Sequence, residues 1–396
     1  MRYKEINSKD SLITIIFSLA LLFGLTQNIP GPLIPVFTVD FNIGFDQIGL
    51  IFFIGLFFGM SSAIIFGQLS DKYSRKLIIS LGIVILSVGI LGILFSFSSI
   101  SFAIFYSLLN FGFGCLEAGI TTGIAELGNE NRSQMLTNFT KFVGLGAFIG
   151  PLLLFLLLYF GVPWRVIFII VFVFLILLLF LFLRINYPIQ YLHNEDKFKL
   201  KIRDLINPVT ISGAFALFFH NGVLNLFGSW LTTYFTNFGV LVKYSSIVVA
   251  FYWLSVMIGS ILTRKIIRKI DEKIYIIIAS FLSVMVLLVI IFAEIIIIKV
   301  IFSFLLGLFM GGIFPVLISI LFSTSPNITG RIFSFLGFFG YGSIMVFQFL
   351  TGYFVENFGK EYALYIQLVN SFLCFLLIML MIGLNKKSKF RKNKFT

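Results

Sequence analysis

Glu117 is the residue of this sequence best suited to chemistry, because its carboxyl group lies in the middle of a long apolar stretch. An unpaired carboxylate at the centre of a membrane costs about 2.5–3.5 kcal/mol on insertion scales, so it is expected to serve a function. Gly114, Glu117 and Thr121 follow a helical spacing and would form one small, polar face among phenylalanine and leucine. The carboxyl could exchange a proton or hydrogen-bond a polyol. The alternative is a neutral structural group that bonds to a neighbouring helix.

Two other sets of polar side chains also lie within apolar stretches. Gln27 and Asn28 precede residues 29–35, whose prolines remove backbone donors and break a helix. The carbonyls exposed there could meet a hydroxylated ligand, or the segment could be a hinge without ligand contact. Further along, Asn221 and Asn225 share a helical face. Their amides suit hydrogen bonds to sugar hydroxyls, although asparagines can equally join helices.

Trp230 and His220 lie in the same apolar stretch as those asparagines. The indole of Trp230 could stack on the C–H face of a sugar. His220 titrates near neutral pH when unperturbed, but a lone histidine is more often a packed hydrogen-bonding residue than a proton carrier. Lys141 lies within another apolar stretch, where it could pair with Glu117 or extend its ammonium group to the cytoplasm.

A short charged hairpin separates two apolar stretches and has the residue types of a movable joint. Gly67 would let two helices approach closely, and Asp71 could sit near a helix N-terminus. Arg75 and Lys76 would hold the hairpin on the cytoplasmic side. Glu126 is a candidate partner of Arg75, so these five residues are predicted to form a cytoplasmic gate.

The composition predicts a polytopic membrane protein. Of 396 residues, 59% are hydrophobic and 11% are charged, and the mean hydropathy is +1.07. A soluble domain cannot bury that much apolar surface. The net charge of +13 lies in loops and at the ends, where it would face anionic lipid, so no nucleic-acid partner is expected. The two cysteines and two histidines show no metal-ligand spacing, and we expect neither a metal nor a cofactor.

The apolar stretches predict an all-α protein with twelve transmembrane helices. Each span needs about 20 apolar residues to cross a hydrocarbon core about 30 Å thick. The break between the ninth and tenth stretches is the weakest. The predicted spans are 11–37, 46–68, 77–97, 100–127, 136–160, 164–184, 207–236, 244–265, 274–294, 297–323, 330–355 and 361–384.

The distribution of lysine and arginine predicts the topology. Basic residues concentrate in alternate loops and at both ends, which places both termini in the cytoplasm and requires an even number of spans. The polar linker 186–206 divides the spans into an N-terminal half, 1–185, and a C-terminal half, 207–385, followed by a basic cytoplasmic tail, 386–396. At an offset of about 200 residues, Gly59 matches Gly259 and Asp71 matches Asp271, which favours two related halves.

Several motifs resemble known transporters. The segment Gly67-Gln68-Leu69-Ser70-Asp71-Lys72-Tyr73-Ser74-Arg75-Lys76 resembles the signature loop between the second and third helices of the major facilitator superfamily. Ser74 stands where that loop usually has glycine. Two segments, Gly114-Cys115-Leu116-Glu117-Ala118 and Gly146-Ala147-Phe148-Ile149-Gly150-Pro151, are similar to the fucose–glucose–galactose:proton symporter family, as are residues 27–35 and 222–234.

The resemblance implies a major facilitator fold and a role for Glu117. In the symporter family the matching fourth-helix glutamate binds substrate and couples protons. The family's first-helix aspartate falls on Gly31 here, and an acid common in its seventh helix falls on Leu224. We therefore expect a monomeric secondary transporter of the cell membrane that takes up a sugar or similar small solute with a proton by alternating access.

Alternative functions remain open at the level of sequence. Gly146, Gly150 and Pro151 partly resemble the fifth-helix motif of proton-driven drug export antiporters, but Leu154 and Phe155 replace its closing glycines. A membrane sensor without turnover is a remote alternative. An enzyme is not expected, because clustered catalytic or metal-binding residues are missing from the sequence.

Overall fold

The computed structural model describes residues 2–70, 72–127, 132–185, 187, 207–324 and 329–392, and the side chains of 10–70, 72–124, 135, 137–185, 187, 207–323 and 335–385. These parts of the chain form thirteen helices and no strand. The helices are α1 (Arg2–Gln27), α2 (Ile34–Asp40), α3 (Phe45–Leu69), α4 (Arg75–Leu94), α5 (Ser99–Leu127), α6 (Arg132–Tyr159), α7 (Arg165–Arg184), α8 (Pro208–Thr236), α9 (Val242–Ile266), α10 (Glu272–Phe292), α11 (Ile296–Thr324), α12 (Thr329–Phe358) and α13 (Tyr362–Lys392).

Twelve of these helices are long and apolar enough to cross a membrane, which confirms the predicted number of spans. The predicted break between the ninth and tenth spans is also confirmed, because α10 ends at Phe292 and α11 begins at Ile296. The remaining helix, α2, has only 7 residues and is too short to span.

The predicted first span, 11–37, is wrong beyond Gln27. The helix α1 ends there, residues 28–33 form turns, and the separate helix α2 follows. Pro30 and Pro32 explain the break, because proline lacks a backbone donor and disfavours helical geometry at the residue before it.

The structure divides into two compact units, residues 1–196 with 240–250 and residues 197–239 with 251–396. In the first unit α4 and α3 pack on α5, and α1 packs on α6. Glycines allow these close approaches. A Cβ atom added at Gly82 would stand 2.7 Å from the Leu116 nitrogen, and one added at Gly150 would stand 2.6 Å from the Leu25 carbonyl oxygen.

In the second unit α8 packs on α13 and α12, and α10 packs on α11 and α13. Large side chains of α8 fill this core: Phe227, Trp230 and Tyr234 are all almost fully buried. Leu287 of α10 and Leu306 of α11 are fully buried in the same unit.

A packing detail recurs in the two units. Gly59 of α3 lies against the carbonyl group of Asn110 in α5, and Gly259 of α9 lies against that of Leu308 in α11. The matched glycines at the offset of about 200 residues therefore make equivalent contacts, each between a helix and the second helix after it. The predicted boundaries of the halves and linker stay predictions.

Candidate functional site

Glu117 lies in α5 and is half-buried. One turn earlier, the ring of Phe113 packs edge-on against Phe23 of α1, with ring centroids 5.0 Å apart. One turn later, the hydroxyl of Thr121, also half-buried, donates to the Glu117 backbone carbonyl at 2.7 Å. The carboxyl side chain thus belongs to a helix face that is only partly covered by other helices of the described chain.

The turn that carries Glu117 is held firmly on two sides. Gly114 lies directly against the Gly59 carbonyl group of α3, and a Cβ atom there would clash with it. Gly119 faces α4, where its Cβ position lies 2.8 Å from the Ile79 side chain. Because α3 and α4 approach the backbone of α5 this closely at the two glycines, helix packing sets the position of Glu117.

The structure distinguishes the two polar residues at the end of α1. Asn28 donates its side-chain amide to the Gly24 carbonyl at 2.8 Å, so this N–H satisfies one of the unpaired carbonyls at the end of α1. Gln27 is the last residue of α1 and is exposed. Of the two, Gln27 has the more accessible amide.

The predicted asparagines of α8 form the start of a polar strip, which we define as Asn221, Asn225 and Ser229. Asn225 donates to the Asn221 carbonyl at 3.1 Å, and Ser229 donates to the Asn225 carbonyl at 3.0 Å. All three residues are half-buried. Gln348 of α12 extends the strip, since its amide nitrogen lies 3.3 Å from the Ser229 hydroxyl.

Sequence reasoning missed two members of this arrangement. Ser229 continues the four-residue spacing of Asn221 and Asn225, and that spacing could have identified it. Gln348 lies 119 residues beyond Ser229, and no local pattern links the two.

The structure places Trp230 in the core of the second unit. It is fully buried, and its indole N–H donates to the Gln348 side-chain oxygen at 2.7 Å. This bond orients the Gln348 side chain, and the contact between Trp230 and a ligand stays a prediction. His220 is also fully buried, and neither ring nitrogen has a hydrogen-bond partner among the described residues.

The predicted cytoplasmic gate is described only in part. Asp71 and the side chain of Glu126 lie outside the described residues. No atom of the described chain lies within 4 Å of a Cβ position at Gly67, so the expected close helix approach at this glycine is not seen. Arg75 is half-buried at the first residue of α4. The gate itself stays a prediction.

Lys76 has partners that the sequence did not suggest. Its ammonium group donates to the carbonyl groups of Leu183 and Ile185, both at 2.7 Å. These carbonyls lie at the end of α7, so Lys76 caps a helix of its own unit.

The other basic residues inside apolar stretches are also accounted for. Lys141 is exposed and donates to Asn138 of its own helix at 3.3 Å.

Lys299, which has only 1% of its surface exposed, donates to the Tyr234 hydroxyl at 2.8 Å and to the Ile290 and Ile291 carbonyls at 2.7 and 3.2 Å. It therefore caps the end of α10.

Comparison with known proteins decides the family. The sequence profile of the Major Facilitator Superfamily matches residues 16–347. The chain belongs to the Major Facilitator Superfamily. The resemblance stated from the hairpin motif is thereby confirmed, as are the all-helical fold and the twelve spans.

Individual members of the superfamily are similar over most of the chain. The glucose/mannose transporter GlcP of Bacillus subtilis (strain 168) is 26% identical over 361 residues, which cover 82% of this chain and 86% of that protein. The solved D-xylose-proton symporter has a TM-score of 0.78 at 15% identity, over 93% of this chain and 96% of that one. The solved nucleoside transporter NupG has a TM-score of 0.77 at 13% identity, over 95% and 99%.

As a member of the Major Facilitator Superfamily, this chain is a multi-pass membrane transporter and not an enzyme. Its partners are a small-molecule substrate and the lipid bilayer. The structural likenesses, at such low identity, describe the fold alone.

Proposed function

We propose that this protein is a monomeric symporter of the cell membrane, with both termini in the cytoplasm, that couples proton entry to uptake of a hexose or similar polyol. The single observation that carries the proposal is Glu117, a half-buried carboxyl group on a rigidly packed turn within a span. The similarity to a protein named as a glucose/mannose transporter supports the substrate class.

The proposal gives the carboxyl group and the amides different roles. Glu117 takes up and releases the coupling proton, because a carboxyl group has a neutral, protonated form and a charged, deprotonated form. The exposed amide of Gln27 and the polar strip of α8 bind sugar hydroxyls. Each amide offers one acceptor and two donors, which matches a hydroxyl that donates and accepts.

Glu117 must act without the two other acids of the similar symporters. Gly31 is buried in the turn after α1, and the Leu224 carbonyl accepts a hydrogen bond from the Tyr252 hydroxyl at 2.8 Å. Neither position offers a second carboxyl group. A single coupling acid predicts a transport stoichiometry of one proton for each solute molecule.

The test is transport by purified protein in vesicles with an imposed pH gradient. Glu117→Gln is expected to abolish gradient-driven accumulation of labelled glucose while sparing counterflow exchange, because the amide cannot release a proton. Glu356→Gln is the matched control, since Glu356 is an exposed acid of α12, and it should accumulate glucose like the wild type. Uphill accumulation by Glu117→Gln at the wild-type rate would remove Glu117 from coupling.

Proton-driven drug export is the second candidate, because Gly146 and Gly150 partly match an antiporter motif. In this structure both glycines pack against α1, at the Leu21 and Leu25 carbonyl groups. Thermal unfolding of the purified protein with hexoses or with lipophilic cations separates the two, because a ligand that binds the native state stabilises it. Stabilisation by cations alone would favour export.

A further inference from the structure

The helices α4 and α7 are joined at both ends by basic residues. At one end Lys76, in the first turn of α4, donates to the Leu183 and Ile185 carbonyls at the end of α7. At the other end Arg165, the first residue of α7, donates to the Ser96 carbonyl at 3.2 Å, just beyond the end of α4. The two helices are therefore antiparallel, and each begins with a cation that bonds at or just beyond the end of the other.

This reciprocal arrangement explains an unfavourable placement of charge. A cation in the first turn of a helix opposes the dipole of that helix, whereas a cation at the last carbonyls is favourable. At the end of α7, Lys76 also supplies a donor to the Leu183 carbonyl, one of the last carbonyls of the helix, which lack a partner within it. Lys76 and Arg165 each stand at the wrong end of their own helix and at the right end of the neighbouring one.

The contact between Arg165 and Ser96 is reinforced by the short helix α2. Asp40, the last residue of α2, accepts hydrogen bonds from Arg165 at 3.0 Å and from the Trp164 indole at 2.8 Å. The guanidinium group of Arg165 also lies over the Trp164 ring, 4.4 Å from its centroid. The guanidinium group is thus oriented by a carboxylate and an aromatic ring while it bonds to Ser96.

Apart from these end contacts, α7 relies on apolar packing against α4. Residues 166–183 are all apolar, so the body of α7 has no side chain able to form a hydrogen bond with α4. Hydrogen bonds are directional, so the end contacts add a geometric requirement to that apolar packing. The two end contacts are therefore the directional restraints on the axial register of α7.

We propose that Lys76 and Arg165 form an end-to-end clamp that fixes the register of α4 and α7, so that these helices move together during the transport cycle. Both are positioning residues: they touch backbone carbonyls and no part of the predicted binding residues. This proposal depends on the chain being a transporter of the superfamily, but it does not depend on a sugar being the substrate or on a proton being coupled. Loss of the clamp should slow turnover while leaving the half-saturating substrate concentration unchanged.

The register can be measured without any substrate. Cys115 and Cys374 are first replaced by alanine, and spin labels are then attached at Leu81 of α4 and Ile169 of α7, which are both exposed. At 1.5 Å per residue, these two positions lie about 15 Å apart along the helix axis. Pulsed electron–electron double resonance should give one narrow distribution of distances between the two labels in the otherwise wild-type protein. The distance distribution should broaden or shift in Lys76→Met and in Arg165→Met, and further in the double variant.

Two controls separate the clamp from a general effect of charge. Lys76→Arg should retain the narrow distance and normal turnover, because arginine can still donate to both carbonyls. Lys72→Met removes an exposed lysine of the same hairpin and should change neither measurement. Turnover is followed as counterflow of labelled glucose, and the distance measurement stands even if glucose is not the substrate.

Two results would overturn the clamp. A distance distribution in Lys76→Met equal to that of the wild type would show that the bond does not set the register. A broadened distribution with unchanged turnover, in protein shown to carry glucose, would show that the register does not matter for transport.

Discussion

Gly82→Ala tests whether packing of α4 on α5 positions Glu117. The added methyl carbon would lie 2.7 Å from the Leu116 nitrogen and 2.8 Å from its Cα. Both are backbone atoms, so no side-chain rotation relieves the overlap. Even a tight contact of about 3.0–3.4 Å requires the α5 backbone to move by roughly 0.3–0.7 Å, and the residue that moves most directly is Leu116, the neighbour of Glu117.

The expected loss of stability follows from two opposing terms. Overpacking a well-filled interface costs about 1–3 kcal/mol, whereas alanine is favoured over glycine in a helix by about 1 kcal/mol. We expect a net destabilisation of about 0–2 kcal/mol. Gly342→Ala is the reference for the favourable term alone, because no described atom lies within 4 Å of its Cβ position. The overlap should therefore appear as a loss of stability in Gly82→Ala that Gly342→Ala does not show.

The protein contains its own reporter for this measurement. Cys115 is fully buried and its thiol lies 3.4 Å from the Ile78 carbonyl, at the same interface between α4 and α5. In a Cys374→Ala background, a thiol-reactive dye would report the temperature at which that interface opens. Gly82→Ala should react at a lower temperature than Gly342→Ala.

A second glycine of α4 separates stability from position. The Cβ atom in Gly89→Ala would lie 2.6 Å from the Leu109 nitrogen, a similar overlap about two turns away from Glu117. Both variants should be destabilised, but only Gly82→Ala should strongly reduce gradient-driven transport. Equal unfolding temperatures for Gly82→Ala and Gly342→Ala, or equal transport by the two α4 variants, would refute this reasoning.

Three further substitutions test individual contacts. Lys299→Met should destabilise the second unit by about 1–3 kcal/mol, because buried carbonyls at the end of α10 lose their donor. The loss can be measured as the temperature at which a thiol-reactive dye labels the buried Cys374, and a labelling temperature equal to that of the wild type would contradict the capping role. Trp230→Phe should lower the stability of the second unit by removing the bond to Gln348, and an unfolding temperature equal to that of the wild type would show that this bond does not stabilise the unit. Gly67→Ala should leave the unfolding temperature unchanged or slightly raised, since its Cβ position is open, and a clear fall would reveal a neighbour that this conformation does not present.

The sequence alone was sufficient for the class of protein, the number of spans and the family. These properties depend on local quantities: the length of apolar stretches, the positions of prolines, and a short charged motif at a fixed place between two spans. Glu117 could be selected for the same reason, because the cost of burying a carboxyl group depends mainly on its immediate apolar surroundings.

Tertiary structure decided what the polar side chains contact. The bond from Lys76 to Leu183 joins residues 107 positions apart, and that from Trp230 to Gln348 joins residues 118 positions apart. The types of these residues predicted roles in a gate and in sugar binding, which stay predictions. Only the packed helices show that Lys76 also caps α7 and that Trp230 supports Gln348. Hydrogen bonds require a partner within about 3 Å, and only helix packing determines which distant segments come that close.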